Sequence, residues 1–449
     1  MEVVGSFWII LVLTIVVSRL KRGLAAGLCW VASFMIALPT ELALSLPGNL
    51  PELTLHRMLL LIVAALWVKE RAAGKIDVRV PFKKEMAFLG LAHFVSLLCS
   101  TTFNVSFKSY LALLWEVLLF FGIASTTLRK QEDLLRTVKG VAMSLSIVAG
   151  AAVVERYTGR NWAREILLGE PPGWHDITAV YRHRIMFGYA MAAGFPLCLL
   201  LACHSGKKLE RLLWWSATLL VIVGCYFSFS RGPWIGILLA SLVLAVLGRR
   251  PAHKALIVLS LICATVWFSQ PGIAQTIVTK ARSLSETDTG KGRSAQYRLL
   301  LWKVAFEEVG KGPQRFLFGY GGDAIIFGDY SDYFDRHAGG GTAKLGFTSW
   351  DNNYAANLVQ FGTLGLATEI MFYLAMIIGA AKAWFVVRET DPWQDVSAAM
   401  AASAAVYLFA LSNVSIFNPQ LTWLFLGTVA VGINIRFVRA VPGSALAAV

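Results

Sequence analysis

Long apolar runs separated by short polar segments dominate this sequence. Each run approaches the roughly 20 residues that a helix needs to cross a bilayer, if flanking residues and the stems of lysine and arginine are included. The pattern therefore predicts an all-α integral membrane protein with about 12 to 14 transmembrane helices. The runs lie near residues 5–18, 23–39, 58–68, 86–100, 109–125, 140–154, 185–203, 212–229, 232–248, 255–269, 354–387, 395–412 and 421–435.

Composition supports this class and excludes a water-soluble enzyme. Of the 449 residues, 57% are hydrophobic and only 15% are charged, and the mean hydropathy is +0.62. The net charge of +14 does not indicate nucleic-acid binding here, because membrane proteins concentrate basic residues in cytoplasmic loops. The six cysteines lie in or beside apolar runs without CxxC spacing, so we expect neither a disulfide nor a metal site.

The distribution of basic residues among the loops predicts the orientation. If every run crosses, the loops fall into two alternating sets, and the arginines and lysines of the short loops belong almost entirely to one set. The short loops of the other set contain only Arg57, Lys108 and Arg231. Basic short loops stay in the cytoplasm. The two long loops, 155–184 and 271–353, are therefore expected outside it, and the C-terminus inside.

No internal repeat or linker divides the chain. We predict a single polytopic membrane domain at residues 1–440, which includes both long loops, and a tail at residues 441–449. Within the second long loop, residues 294–309 have the pattern of an amphipathic helix that would lie near the outer membrane face. Its expected apolar side consists of Leu300, Leu301, Val304 and Phe306, and its polar side of Lys303, Glu307, Glu308 and Lys311.

Charged side chains at the ends of apolar runs are the first candidates for function, because charge at membrane depth costs several kcal/mol. Arg231 lies between two runs, where its guanidinium either faces a cavity or belongs to a snorkelling arginine in a tight helical turn. Arg182 and Arg184 precede another run, where they either bind a phosphate-rich head group or anchor the helix at the interface. Arg298 and Trp302 share one helix face, with the arginine either over a cavity or solvated.

The second long loop ends in Trp-Asp-Asn-Asn-Tyr. Asp351 is a candidate base, and Asn352 either orients a sugar hydroxyl or caps the next helix. Simple N-capping of that helix would also explain the presence of both residues. The glycine-rich stretch at 318–323 is expected to be a turn and not a phosphate-binding loop, because no strand precedes it. Taken together, the outer arginines and Asp351 predict a cationic cavity that binds an anionic lipid head group.

These motifs resemble the O-antigen ligase and O-antigen polymerase family of bacterial inner-membrane glycosyltransferases. Their order across residues 180–370 carries the resemblance, whereas the first 150 residues add only hydrophobic helices. The similar motifs are Ser-Arg-Gly at 230–232, Arg-x-x-x-Trp at 298–302, Leu-Phe-Gly-x-Gly at 317–321, Asn-x-Tyr with Phe-Gly-Thr-Leu-Gly-Leu at 352–366, and Arg182 or Arg184 with Gly188.

The resemblance implies a GT-C-like, metal-independent, inverting glycosyltransferase without cofactors, in the bacterial inner membrane with its active site facing the periplasm. The donor would be a glycan on undecaprenyl pyrophosphate, and the acceptor a hydroxyl of a saccharide or lipid-linked saccharide. Arg231 and Arg298 would hold the pyrophosphate, assisted by Arg184 or Arg182. Asp351 would accept the hydroxyl proton.

The base stays open at this point. Ligases of this family often have histidine where this chain has Asp351, and an aspartate with an ordinary pKa of about 3.9 is a weak base. His337 is the alternative base, although a surface histidine explains it equally well. The aspartate favours a polysaccharide polymerase over a ligase that transfers glycan to lipid A-core.

A different class is a lipid-linked oligosaccharide flippase or other transporter. Such a protein would show inverted repeats or charged, broken helices near the bilayer midplane, and the sequence shows no repeat. Membrane lipids and a chain-length regulator are further expected partners, and nucleic acid is not.

Overall fold

The structure, a computed structural model, is almost entirely helical. It describes residues 2–44, 53–76, 79–170, 176–269, 272, 275, 278–279, 293–328, 350–386, 393–414 and 419–435. Within these ranges the only sheet is one antiparallel pair of two-residue strands, β1 (Ala43–Leu44) and β2 (Leu53–Thr54). The all-α membrane class is confirmed. The predicted tail at 441–449 lies outside the described residues.

The helices follow one another with short connections. In chain order they are α1 (Glu2–Leu20), α2 (Leu24–Ala37), α3 (Leu55–Ala72), α4 (Lys83–Leu98), α5 (Phe103–Ala112), a π-helical segment (Leu113–Leu119), α6 (Phe120–Thr127), α7 (Gln131–Thr158), α8 (Trp162–Leu168), α9 (Arg184–His204), α10 (Lys208–Phe227), α11 (Arg231–Leu247), α12 (Arg250–Ser269), α13 (Arg293–Val309), α14 (Pro313–Phe318), a 3-10 turn (Ala324–Phe327), α15 (Asn353–Val386), α16 (Trp393–Leu411) and α17 (Pro419–Asn434).

Six helical segments in the described part are long and apolar enough to cross a membrane. They are Phe103–Thr127, which joins α5, the π-helical segment and α6, together with Gln131–Thr158, Arg184–His204, Lys208–Phe227, Asn353–Phe385 and Trp393–Leu411. Three apolar helices are shorter, namely Val4–Leu20, Leu24–Ala37 and Arg231–Leu247. Other predicted crossings coincide with shorter or more polar helices, so the number of 12 to 14 stays a prediction.

The α9 helix lies at the centre of the bundle. It contacts α7, α10, α11 and α16, and every residue from Phe187 to Ala202 is buried. Small residues all round this helix let neighbouring backbones approach closely, as is typical of helix packing in membranes. The first residues of α9 are therefore held firmly against the ends of its neighbours.

The helix predicted in the second long loop is present as α13, and it packs against α15. Its two predicted faces were wrong at two positions. Phe306 is 58% exposed, and Glu308 is buried in an ion pair with Lys311 at 2.8 Å. The buried side of the helix instead includes Ala305 and Val309. These two positions fit the 3.6-residue helical period, and Phe306 does not.

The α15 helix is broken at Gly362, where φ is 66° and ψ is −171°. The break frees backbone carbonyls, and two amides of the preceding loop bond to them. Tyr320 N donates to Val359 O at 3.0 Å, and Gly321 N donates to Gln360 O at 2.8 Å. A helix interrupted at membrane depth needs such replacement donors. The glycine-rich stretch at 318–323 thus forms the predicted turn after α14 ends at Phe318, and these bonds attach it to α15.

Candidate functional site

The starts of α9, α11 and α15 lie together, and we call this end of the bundle the site end. Two glycines make the close approach possible. A Cβ on Gly188 would lie 2.6 Å from Pro233 Cγ, and a Cβ on Gly232 would lie 2.3 Å from Tyr189 Oη. Both distances are below any ordinary van der Waals contact. The Ser-Arg-Gly motif therefore sits directly against the first turn of α9.

A tight turn between α10 and α11 presents Arg231. Ser228 Oγ donates to Cys225 O at 2.7 Å and accepts from Ser230 N at 3.3 Å. Trp234 Nε1 donates to the same Cys225 carbonyl at 3.1 Å, so both sides of the turn bind one acceptor. Arg231 is consequently held as the first residue of α11 at the site end.

Arg298 joins this group from α13. Its Nε donates to the backbone oxygen of Asp351 at 3.3 Å, and this bond connects α13 to the start of α15. The charge of Arg298 also acts on Arg231 and on Tyr189. The fold thus brings together Arg231, Arg298 and Asp351, which lie on three separate elements.

The segment before α9 is anchored by Glu155, a residue that the sequence interpretation missed. The Glu155 carboxylate accepts from Ala179 N at 2.8 Å and from Thr178 N at 3.3 Å. Asn161 Nδ2 donates to Ala179 O at 2.9 Å. In the sequence, the only sign of this anchoring role was an acidic residue at the end of an apolar run. The partners of Glu155 are backbone amides of a distant loop, which the sequence pattern does not reveal. These bonds fix the approach to Arg182 and Arg184.

The two arginines of this segment have different surroundings. Arg184 Nη1 pairs with Asp176 Oδ1 at 3.0 Å, and both side chains are partly exposed. Arg182 instead lines a large cavity, together with Asn353 at the start of α15. Arg182 is exposed and borders the cavity, whereas Arg184 is half-buried beside Asp176.

His183 lies between them and caps α9, because its Nδ1 accepts from Ile185 N at 3.2 Å. Burial and the charge of Arg184 lower the pKa of His183, whereas the charges of Asp351 and Asp176 act in the opposite direction. The His183 imidazole is thus close enough to Asp351 for an electrostatic interaction between them. The sequence alone indicated no separate role for His183.

The other predicted site residues have more ordinary positions. Asn352 is buried, and its Oδ1 accepts from Ala355 N at 3.1 Å, so it caps α15. Trp302 stacks on Phe306 with ring centroids 5.8 Å apart and packs against the apolar cluster under α13. Its role in substrate binding stays a prediction. His337 lies outside the described residues.

A cavity of about 520 Å³ opens beside these groups. Residues of α3, α4, α5, the π-helical segment, α15, α16 and α17 line it. Its polar lining includes Glu116, Asp323, Asn357, Gln360 and Glu369. None of these five residues was assigned a role from the sequence. In the part of the chain that the structure describes, no group of three or more His, Cys, Asp or Glu side chains is arranged to hold a metal ion.

Comparison with known proteins bears on the same region. Residues 216–369 match the family model described as O-antigen ligase, and this stretch contains Arg231, Arg298 and Asp351. No curated protein matches the chain. The matched family acts on lipid-linked sugars as a glycosyltransferase-like enzyme, and the apolar helices agree with a multi-pass membrane protein. The match at residues 216–369 confirms, for that part of the chain, the resemblance to the O-antigen ligase and O-antigen polymerase family.

Proposed function

We propose that this protein is a polysaccharide polymerase that transfers a glycan from undecaprenyl pyrophosphate to a saccharide hydroxyl at the periplasmic face of the bacterial inner membrane. The main observation in support of the proposal is that Arg298, Arg231 and Asp351 lie close together at the site end. Arg298 bonds to the Asp351 backbone at 3.3 Å, and its charge acts on Arg231.

The two arginines suit a leaving pyrophosphate. Like charges held close together repel one another, and an anion between them removes that repulsion. As the bond from the anomeric carbon to the pyrophosphate oxygen breaks, the electron pair stays on the pyrophosphate. Cations fixed in place before the reaction stabilise this growing negative charge most effectively. The interaction therefore strengthens toward the transition state, which raises the rate.

Asp351 supplies the proton acceptor in this proposal. The acceptor hydroxyl attacks the anomeric carbon from the side opposite the pyrophosphate, and its proton passes to the Asp351 carboxylate. Direct attack of this kind inverts the anomeric configuration and requires no metal ion. The bond from Arg298 to the Asp351 backbone would keep the base and the phosphate-binding group at a constant separation.

A ligase that transfers the glycan to lipid A-core is the second candidate. The description of the matched family, O-antigen ligase, favours it. Both activities use the same donor and the same arginines, so they differ only in the acceptor.

Reconstitution tests the proposal. The purified protein in proteoliposomes is given undecaprenyl-pyrophosphate-linked oligosaccharide, with or without lipid A-core. Lengthened glycan identifies a polymerase, and modified lipid A-core a ligase. Arg231→Ala and Arg298→Ala should each lower transfer about 10²- to 10³-fold, as loss of one oxyanion-stabilising donor does.

Arg136→Ala is the matched control, since Arg136 is half exposed and pairs with Asp133 one helical turn away on α7. It should leave transfer unchanged. Full transfer by folded Arg231→Ala and Arg298→Ala proteins would contradict the assigned roles.

A further inference from the structure

The break at Gly362 divides α15 into two segments, a first segment at residues 353–361 and a second segment at residues 363–386. A residue with φ of 66° and ψ of −171° interrupts regular helical geometry. The backbone of α15 therefore does not by itself set the angle between the two segments. Contacts from side chains and from neighbouring elements must fix this angle.

One side-chain hydrogen bond crosses the break. Asn357 Nδ2, in the first segment, donates to Glu369 Oε2, in the second segment. Both residues are buried, so bulk water does not compete for this bond. Glu369 also lies in Asn353–Phe385, which is long and apolar enough to cross a membrane. Ionisable side chains in such segments are rare and usually serve a function.

The core of the bundle holds Glu369 in place. The hydroxyl of Tyr373, one helical turn further along, interacts with the Glu369 carboxyl. The Tyr373 ring packs edge-on against Tyr407 of α16 and Phe425 of α17, with ring centroids 5.8 Å and 5.4 Å apart. Glu369 thus offers Asn357 an acceptor at a fixed position.

The polar contacts continue from Asn357 to the glycine-rich turn. Asn357 Oδ1 accepts from Gln360 Nε2 at 3.4 Å, and Gln360 Oε1 accepts from Asp323 N at 2.5 Å. Glu369, Asn357 and Gln360 therefore form one chain of buried polar groups. This chain connects the second segment of α15, the first segment and the turn.

The first segment carries the candidate base at its start. Asp351 comes directly before it, and Arg298 Nε donates to the Asp351 backbone oxygen at 3.3 Å. Residues 353–361 span about 13 Å as a helix, so a tilt of about 5° at the break would move this end by about 1 Å. A displacement of about 1 Å can lower a rate about 10²-fold. The angle at the break thus bears directly on the position of Asp351 relative to Arg231.

We propose that Glu369 is a positioning residue of the transfer reaction. Through its bond with Asn357, it fixes the first segment of α15 and thereby keeps Asp351 in place beside the arginines. The inference rests on the proposed function and adds to it a residue that acts through others, without contact with the reacting atoms.

Kinetics in proteoliposomes test this role. Glu369→Leu and Asn357→Leu each remove one end of the bond and should lower kcat about 10- to 100-fold. The KM for the donor should stay within about twofold, because the proposed pyrophosphate-binding arginines lie on α11 and α13 and not on α15. The double variant should be no slower than either single variant, since the two side chains act as one unit.

Two further variants separate positioning from a general loss of structure. Glu369→Gln keeps an oxygen that can accept from Asn357, so it should retain most of the wild-type kcat. Thr368→Val is the matched control on the same helix. The Thr368 hydroxyl donates to Leu364 O and Gly365 O within its own turn, so its loss should leave kcat unchanged.

Hydrogen exchange gives a readout that needs no transfer. The full-length protein in nanodiscs is labelled in heavy water and analysed by mass spectrometry. The amides of residues 353–361 should exchange faster in Glu369→Leu than in the wild type, because the first segment opens more readily once this bond is lost. The amides of α9 should exchange as in the wild type.

The outcomes separate this inference from the proposed function. Faster exchange with a lower kcat and an unchanged donor KM supports the positioning role. Unchanged exchange, a wild-type kcat in folded Glu369→Leu, or an equal loss of kcat in Glu369→Gln and Glu369→Leu overturns it and leaves the proposed function standing. Absence of transfer by the wild type overturns the proposed function, and exchange then decides whether Glu369 fixes the first segment.

Discussion

At the scale of single residues, the site is built from charges that the fold holds close together. Arg298 acts on Arg231, on Tyr189 and, through a backbone bond, on Asp351. Of the predicted site residues, these arginines were the easiest to find in the sequence, because a charge beside an apolar run interrupts the pattern. Glu155 and Glu116 were not found, because their partners lie far away along the chain.

The role of Asp351 is open to a direct test. Asp351→Asn should lower turnover about 10²- to 10⁴-fold, the usual contribution of a general base. Donor binding should persist, because the bond from Arg298 uses the backbone oxygen and not the carboxylate. Turnover and donor affinity are measured in the same proteoliposomes. A folded Asp351→Asn protein with full turnover would mean that another group accepts the proton.

His183 makes stability depend on pH. Since burial and Arg184 lower its pKa in the folded protein, the unfolded chain takes up the proton first as the pH falls below about 6.5. Stability is therefore lost as the pH falls from this value toward the folded pKa. His183→Asn, which keeps a capping acceptor, should lessen that loss. Thermal unfolding between pH 7.5 and 5 measures it, and identical profiles would contradict the assignment.

At the scale of elements, the break in α15 is the main departure from the sequence pattern. Residues 354–387 form one apolar run, so the sequence predicted one uninterrupted helix. Gly362 lies inside that run. Its left-handed conformation depends on bonds from Tyr320 and Gly321, and contacts between a loop and a helix cannot be deduced from hydrophobic periodicity.

Gly362→Ala should destabilise the protein by about 1–3 kcal/mol or more. A side chain is strained at positive φ, and its Cβ would also lie 2.4 Å from the backbone of Leu317. Gly427→Ala in α17 is the matched control, because a Cβ there meets no atom within 4 Å. Thermal unfolding of both variants in detergent gives the comparison. Equal melting temperatures would show that the break is not required.

At the scale of the whole molecule, the charge distribution and the structure agree on which residues lie together. The loops predicted outside the cytoplasm supply Arg182, Arg231, Arg298 and Asp351, and the structure collects these residues at one end of the bundle. Sequence alone could not decide between Arg182 and Arg184, because two residues so close together in one loop have the same sequence surroundings. The ion pair of Arg184 with Asp176 and the place of Arg182 beside the cavity emerge only once the chain is folded.

Cysteine labelling tests the orientation. In a background without Cys263, the one exposed native cysteine, a cysteine at Ala73 should react only with a reagent that reaches the cytoplasm. A cysteine at Ser285, in the second long loop, should react from outside with an impermeant maleimide. The rule on basic loops is the reason for this expectation. The reverse pattern would place the proposed site on the wrong face.

The attachment of residues 317–321 to the broken helix limits how this protein can diverge. Backbone atoms make these bonds, and Gly319 and Gly321 have positive φ and no space for a Cβ. Neither these two glycines nor the number of residues in the segment can therefore change. Insertions and deletions should accumulate on either side of it and stop at its borders. Among relatives that handle different glycans, the spacing from Leu317 to Gly321 is then expected to stay constant while the neighbouring loop lengths vary.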